Sequence, residues 1–338
     1  MKLNYICCQP DDTYFTWQVH LWLENLRSFD KAKDAIVLIF VPSFRTYNEK
    51  WNKIISLYPE ATFKVYKDEH NINNYLSAYI PILRPYLLLR YWSEFPEMKD
   101  RAVLYYDNDV LLTEKFNIDK FIDNDTCYVS DTNSYINASY FDSKVRDVKL
   151  EMLEEYKKID ILANTTEIAG VTREIAEKNN LHSGGAQYLL KNIDASFWER
   201  MIKDVMGIRI YLQSDINRKY FENESKGFQS WCADMWALLW GMWRTGHEVK
   251  VIGEMNFAWA TDPIERLETH PMYHNAGVTN KFMGDVPFFY KGEYHTGTNP
   301  MTDPHIQIVL NNEKSKKKCT WFYTNELMKL NEKYHINY

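Results

Sequence analysis

Two carboxylates separated by one residue are the sharpest chemical signal in the sequence. Asp107 and Asp109 flank Asn108 directly after the apolar run 102–106 (AVLYY), which is typical of a strand. Ligands of an open parallel sheet bind beyond the carboxyl ends of its strands. Mg²⁺ or Mn²⁺ accepts one or two protein carboxylates together with diphosphate oxygens. The alternative is a polar turn, since Asp and Asn are common turn formers. The preceding strand favours a metal site.

A second acid stands alone in an apolar segment. Asp234 is the only acid in residues 231–243 (WCADMWALLWGMW), which are apolar on all sides and predict a buried helix. A buried carboxylate needs compensation, and the first turn of a helix, with Ser230 as a possible cap, would provide it through unpaired N–H groups. Such an acid could act as a general base. The alternative is an acid that only helps to start the helix.

Three weaker signals follow along the chain. Ser183, Gly184 and Gly185 form either a loop that lets a ligand approach the backbone or a simple tight turn. His274 is either a structural residue or, as a neutral imidazole, a companion to two carboxylates on Mn²⁺. Lys281 could reach a diphosphate as a point charge.

The elements that must position these residues alternate in type. Short apolar runs with strand character are separated by segments with helical spacing, which predicts a mostly parallel α/β sheet covered by helices. The predicted strands are residues 3–8, 35–41, 61–67 and 102–106, and the predicted helices between them are 17–26, 51–57 and 73–92, the last broken near Pro81 and Pro85. From residue 248 onward the sequence is rich in loop signals.

Composition excludes several classes of protein. The 338 residues carry 40 basic and 46 acidic side chains, a net charge of −6, which argues against a non-specific grip on nucleic acid. Five cysteines without a CxxC spacing fit neither a disulfide framework nor a thiolate zinc site. No apolar run approaches the ~18 residues that span a bilayer, and the N-terminus does not resemble a signal peptide. We expect a soluble, cytoplasmic protein with free thiols.

The order of these motifs resembles that of the GT-A glycosyltransferases over roughly residues 1–285. The resemblance implies that Asp107 and Asp109 bind Mn²⁺ or Mg²⁺, that His274 completes the metal's ligands, and that Asn108 joins Asp107 in binding the donor. The donor would be a nucleoside-diphosphate sugar, with a UDP-sugar favoured. The acceptor would be a hydroxyl group of a carbohydrate or another compound.

The same resemblance assigns roles to the remaining motifs. Ser183, Gly184 and Gly185 would flank the donor sugar and the acceptor. Asp234 would be the acceptor base of an inverting enzyme, although Ala233 stands where many members have Glu. Arg84, in the helix before the D-x-D strand, would lie near the donor phosphates or sugar, and its alternative is a structural ion pair.

Two further segments belong to this expectation. The loop from Gln9 to Tyr14 follows the first strand and could hold the nucleobase, with Tyr14 or Phe15 stacking on it. Residues 274–281 (HNAGVTNK) also look like the H-x-x-G…K element of retaining galactosyl- and glucosyltransferases, with one extra residue before Lys281. Inversion is favoured and retention stays open.

The predicted organisation is one GT-A domain. Residues 1–115 would form the nucleotide-sugar half, 116–285 the acceptor and catalytic half, and 286–338 a C-terminal extension or lid. A sugar nucleotidyltransferase would need a glycine-rich, basic loop after the first strand, where this chain has CQPDDTYFTW. A transferase acting on DNA bases would need a basic groove, and an inactive sugar-nucleotide-binding scaffold would not need all of the motif residues.

Overall fold

The computed structural model describes residues 1–69, 72, 79–336 and 338 of the chain. The fold is mixed α/β, with a mostly parallel central sheet flanked by helices, as the sequence predicts. The described strands are β1 (Leu3–Pro10), β2 (Ala35–Val41), β3 (Thr62–Lys67), β4 (Ala102–Tyr105), β5 (Val110–Leu112), β6 (Cys127–Val129), β7 (Tyr188–Leu190), β8 (Val249–Val251), β9 (Phe257–Trp259), β10 (Met272–His274), β11 (Phe282–Met283) and β12 (Val286–Pro287).

The described α-helices vary from a single turn to 16 residues. They are α1 (Thr13–Ser28), α2 (Lys50–Leu57), α3 (Leu83–Glu94), α4 (Asn133–Ile136), α5 (Ala138–Ser143), α6 (Leu153–Tyr156), α7 (Ile161–Ile168), α8 (Arg173–Lys178), α9 (Ala195–Ile210), α10 (Arg218–Tyr220), α11 (Ala233–Arg244), α12 (Pro304–Asn311) and α13 (Cys319–Tyr334).

The chain divides into two compact units. Unit 1 comprises residues 1–2, 68–104 and 121–252, and unit 2 comprises residues 3–67, 105–120 and 253–338. Each unit therefore draws on separate stretches of the chain. The three predicted segments, 1–115, 116–285 and 286–338, are functional assignments and stay a prediction.

Unit 2 contains the parallel strands β3, β2 and β1 in that order. Every residue of β2 is buried, as its continuous β-branched run predicts for a strand covered on both faces. Helix α1 follows β1 after a two-residue turn. Its N-cap residue is Asp12, whose side chain accepts a hydrogen bond from the Tyr14 N–H (2.9 Å). The carboxyl end of β1 thus leads directly to a capped helix N-terminus.

The rest of unit 2 comes from the end of the chain. Strands β5, β10 and β9 form a small sheet in that order, and β11 pairs with β12. Loops predominate up to residue 303, as the sequence indicates. Helices α12 and α13 then follow, and the sequence pattern did not predict them. In α13 the apolar stripe is interrupted by Thr320 and Thr324, which are nevertheless buried.

Unit 1 contains strands β7, β6 and β8, in which β6 is antiparallel to β7 and parallel to β8. Most of β4 also belongs to this unit. Helix α9 packs on both α3 and α11, and the indoles of Trp92 and Trp198 meet edge to face at 5.5 Å. The aromatic residues of the helical segments therefore serve mainly as core.

The sequence predicts a helix over residues 73–92 that is broken near Pro81 and Pro85, and in the structure both prolines lie near the start of α3. Residues 73–78 lie outside the described residues. The described part begins with a 3₁₀ turn, Ile80–Ile82, that runs into α3 at Leu83. Pro81 lies in that turn and Pro85 in the first turn of the helix, where a missing N–H removes no intrahelical bond. The prolines mark the start of the helix.

All five cysteines are free, as expected. Among the described residues, no helix combines the length and the apolar character that crossing a membrane requires.

Candidate functional site

Unit 2 brings the D-x-D carboxylates and the late histidine together. One ligand atom from each of Asp107, Asp109 and His274 lies within 4.8 Å of the others. The His274 Nε2 atom is 3.6 Å from Asp109 Oδ1 and 4.0 Å from Asp107 Oδ2. Asp109 and His274 are buried, whereas 28% of the Asp107 side chain is exposed. We call these three residues the acidic triad.

The backbone of the small sheet explains this convergence. In the antiparallel pair of β5 and β10, His274 lies opposite Val110, the residue after the D-x-D motif. The Asn275 N–H extends the pairing by donating to the Asp109 carbonyl oxygen (3.0 Å). On the other side of the motif, the Tyr106 N–H donates to the Ile6 carbonyl oxygen of β1 (3.3 Å). The motif is therefore held between β1 and β10, at a strand end.

Aromatic neighbours fix the orientation of the imidazole. Trp259 is the cross-strand partner of His274 in the parallel pair of β9 and β10, and the two rings stack with centroids 5.6 Å apart and planes 16° apart. Phe257 meets the same imidazole edge-on at 5.3 Å. Packing of this kind holds the ring with its Nε2 toward the carboxylates, so little rotational freedom is lost when a ligand binds.

A lysine that the sequence analysis did not single out reaches the acidic triad. The Lys291 ammonium donates to Asp109 Oδ2, while 32% of the lysine side chain stays exposed. Burial raises the pKa of Asp109, but Lys291 and His274 outweigh this effect, so the pKa lies below its usual value. Burial lowers the pKa of Lys291, but Asp109 reverses the effect, so the pKa lies above its usual value. Both groups are therefore charged near neutral pH.

The donor atoms of the acidic triad fit a divalent cation. Two carboxylates and one imidazole supply oxygen and nitrogen ligands, a set that suits Mg²⁺ or Mn²⁺. The Lys291 ammonium pairs directly with Asp109. The donor atoms are close enough to share an ion. Which ion binds stays a prediction.

A cavity of about 400 Å³ opens in the same unit. It is lined by the start of α1, by the segment after β2 and by residues 295–297: Asp11, Asp12, Thr13, Arg45, Thr46, Asn48, His295, Thr296 and Gly297. The Asp11 carboxylate accepts from the Asn48 N–H (2.8 Å). The cavity thus lies at the α1 N-terminus, where the sequence analysis placed the nucleobase loop.

Tyr14 connects the surroundings of the cavity with those of the acidic triad. Its ring lies 4.1 Å from that of His295, centroid to centroid. Burial raises the pKa of Tyr14 to about 12, and Lys291 and Asp109 are both near enough to influence it. Tyr14 therefore lies close to both features. His295 carries no sequence signal that would have indicated its position.

Two buried amides in unit 2 have unsatisfied polar atoms. Neither amide atom of Gln9 finds a hydrogen-bonding partner among the described residues, and Nδ2 of Asn108 likewise finds none. Both side chains are buried. Buried amides are normally paired with protein or water. These two residues lie at the end of β1 and inside the D-x-D motif, and their contact with a donor stays a prediction.

Lys281 is held elsewhere in unit 2. Its ammonium donates to Asp303 Oδ2 (3.0 Å) and lies 3.8 Å from a Glu293 carboxylate oxygen. The Tyr294 hydroxyl donates to the same Asp303 oxygen (3.0 Å). Contact between Lys281 and a diphosphate stays a prediction.

Asp234 lies in unit 1, in the first turn of α11, as predicted. Arg84 donates to its Oδ2 (2.8 Å) and Tyr79 donates to its Oδ1 (2.9 Å). Burial and, to a smaller extent, the negative charge of Asp234 raise the pKa of Tyr79, so the phenol stays protonated. Arg84 therefore forms an ion pair with the candidate base itself, which was the alternative to a place near the donor, and its contact with a donor stays a prediction. The predicted cap was wrong: the N-cap is Cys232, because residues 230–232 form a 3₁₀ turn that precedes the helix.

The glycines of the Ser183-Gly184-Gly185 loop are closely packed in unit 1. A Cβ atom on Gly184 would lie 2.2 Å from the Ser130 carbonyl oxygen, and one on Gly185 would lie 2.3 Å from the Tyr188 hydroxyl. The Gly185 N–H donates to that same Ser130 carbonyl (3.1 Å). The loop is thus pressed against the end of β6. Its role beside a donor or acceptor stays a prediction.

The comparisons with known proteins leave the residue roles open. No protein-family model matches the sequence, and no curated protein matches it. Solved structures with a similar fold include the galactosyltransferase LgtC in complex with donor and acceptor sugar analogues. The TM-score is 0.42 and the sequence identity is 11%, and the match covers 88% of this chain and 95% of that chain. An active-site mutant of LgtC gives the same values. Mouse xyloside xylosyltransferase 1 in its apo form has a TM-score of 0.36 and 10% sequence identity. The match covers 82% of this chain and 98% of that chain.

Proposed function

We propose that the chain is a metal-dependent glycosyltransferase that takes a sugar from a nucleoside diphosphate. The observation that carries this proposal is the convergence of Asp107, Asp109 and His274, whose ligand atoms lie within 4.8 Å of one another. These three residues would hold a cation, which would supply charge neutralisation for a departing diphosphate. A UDP-sugar is the favoured donor, and Mn²⁺ or Mg²⁺ the favoured ion.

The cavity at the start of α1 is proposed to hold the nucleoside. The Arg45 side chain offers donors there, and the start of a 16-residue helix lies at the cavity. Tyr14 lies beside His295 of the cavity and near the charges of the acidic triad, so a ligand reaching from cavity to triad would pass this ring. Gln9 and Asn108 are proposed to bind the donor through their side-chain amides. Residues 286–338, which include His295, are proposed to close over the donor.

In unit 1, Asp234 stays the proposed base of an inverting reaction. One observation favours the retaining alternative: both carboxylate oxygens already accept hydrogen bonds, from Arg84 and Tyr79. An acceptor hydroxyl would have to share these oxygens with two strong donors. A retaining reaction would leave the Asp234–Arg84 pair in a structural role.

The proposal is tested by thermal stabilisation and by donor hydrolysis. Nucleoside diphosphates are added with and without Mn²⁺, and hydrolysis is then measured across UDP-, GDP-, CMP- and dTDP-sugars. We expect stabilisation by one diphosphate that requires Mn²⁺, and slow hydrolysis of the corresponding sugar nucleotide. Both should be lost in Asp109→Asn and kept in Glu114→Gln, a matched control because Glu114 is an exposed acid of the same segment.

Other outcomes identify the alternatives. Stabilisation by a nucleoside triphosphate alone would indicate nucleotidyl transfer. Binding of a diphosphate without hydrolysis of any sugar nucleotide would indicate a scaffold. Equal Mn²⁺-dependent stabilisation of wild type and Asp109→Asn would contradict the metal assignment.

A further inference from the structure

Lys291 shares Asp109 with any cation that the acidic triad binds. The lysine ammonium occupies Asp109 Oδ2, while Oδ1 of the same carboxylate faces His274 at 3.6 Å. An ion that uses Asp109 as a ligand would therefore lie next to a fixed positive charge. Like charges at such a distance repel, and the repulsion is stronger where burial lowers the effective dielectric constant.

The segment that carries Lys291 also lines the cavity. Lys291 begins a 3₁₀ turn that ends at Tyr294, and the next three residues, 295–297, form one wall of the cavity. The turn is anchored because the Tyr294 hydroxyl donates to Asp303 (3.0 Å). The ammonium can therefore make only local movements, between Asp109 and a ligand that lies next to it.

A diphosphate beside the acidic triad would change this balance. Its oxygens offer the ammonium an acceptor with more negative charge than one shared carboxylate oxygen. Since 32% of the lysine side chain is exposed, such a ligand can reach it. The ammonium would then leave Asp109 Oδ2 free for the cation, and repulsion between the two cations would be offset by the phosphate charge.

We propose that Lys291 makes tight binding of the divalent cation conditional on a bound diphosphate. The lysine weakens cation binding when it is paired with Asp109 and favours cation binding when it is paired with phosphate. Because binding linkage is reciprocal, the cation must raise the affinity for the diphosphate by the same factor. This inference rests on the proposed function, because it requires the acidic triad to be a metal site for a diphosphate-containing ligand.

The test measures Mn²⁺ binding directly, from the electron paramagnetic resonance signal of the free ion. Titrations are made with and without UDP and with inorganic pyrophosphate, after correction for the Mn²⁺ complex that each ligand forms without protein. The proteins are wild type, Lys291→Gln and Lys314→Gln. Lys314 is the matched control because its ammonium also pairs with an aspartate of unit 2, Asp285, on the exposed surface.

We expect UDP or pyrophosphate to tighten Mn²⁺ binding to wild type and to Lys314→Gln by at least about tenfold, within the usual range of coupling between sites. In Lys291→Gln, Mn²⁺ alone should bind more tightly than to wild type, and the diphosphate should tighten Mn²⁺ binding by a smaller factor than in wild type. Equal Mn²⁺ affinity of wild type and folded Lys291→Gln without diphosphate would overturn the proposal.

The wild-type measurement keeps the test decisive if Lys291→Gln does not fold. A wild-type Mn²⁺ affinity that neither diphosphate changes would overturn the coupling while leaving the metal site intact. Absence of Mn²⁺ binding under every condition would instead overturn the proposed function.

Discussion

His274 lies 3.6 Å from Asp109 because β10 runs antiparallel to β5 and places the histidine opposite Val110. A shift of one residue in this register would turn the imidazole to the opposite face of the small sheet. The stacked Trp259 indole and the Asn275 N–H bond to the Asp109 carbonyl hold the register from two sides. The candidate metal site is therefore a product of strand pairing.

Asp234→Asn tests the proposed base. If Asp234 removes the acceptor proton, this change should lower the transfer rate by about 10²- to 10⁴-fold and leave Mn²⁺-dependent diphosphate binding in unit 2 unchanged. Transfer is measured by steady-state kinetics, and binding by calorimetry. Tyr79→Phe is the companion variant, because it keeps the carboxylate and removes only the hydroxyl that bonds the Asp234 side chain, the Asp234 N–H and the Trp231 carbonyl. A loss of less than tenfold in Asp234→Asn would favour the retaining alternative.

Sequence patterns predicted most of the parallel core and the three members of the acidic triad. The run Ala35–Val41 is long, β-branched and followed by Pro42, so its strand has little competition from other structures. The D-x-D motif was indicated by its place after an apolar strand. In both cases a few neighbouring residues are enough to predict the local structure.

Long-range contacts could not be predicted in this way. Lys291 reaches Asp109 from a loop without any motif, and only the anchored turn after β12 brings it there. Trp259 packs on His274, and this contact could not be predicted because the pairing of β9 with β10 cannot be inferred from either strand alone. The cap of α11 was misplaced because a 3₁₀ turn and a helix N-terminus share the same polar start signals.

Gly184→Ala tests whether the Gly-Gly loop is required for folding. The new Cβ would lie 2.2 Å from the Ser130 carbonyl oxygen, and a backbone atom cannot move aside as a flexible side chain can. We expect the free energy of unfolding to fall by about 1–3 kcal/mol, measured by denaturant unfolding. Gly253→Ala is the matched control because nothing lies within 4 Å of its Cβ position. Equal stability of the two variants would contradict the packing argument.

Because His20 is buried, we expect the free energy of unfolding to depend on pH in the acid range. Burial lowers the pKa of His20 from 6.5 to about 3, so the folded protein keeps this imidazole neutral where the unfolded chain protonates it. The free energy of unfolding should therefore fall as the pH decreases from about 6.5 toward 3, by up to about 1.4 kcal/mol per pH unit. His20→Gln should flatten this dependence in urea titrations across pH, and His270→Gln, which changes a more exposed histidine, should not. A slope unchanged in His20→Gln would show that other groups cause the acid sensitivity.

The most direct test of the metal assignment locates the ion itself. Crystals grown with Mn²⁺ and UDP are measured at a wavelength where manganese scatters anomalously. We expect one strong anomalous peak within coordination distance, about 2.0–2.3 Å, of Asp107, Asp109 and His274, with the diphosphate beside it. A peak that lies elsewhere while these three side chains bind no ion would contradict the metal assignment.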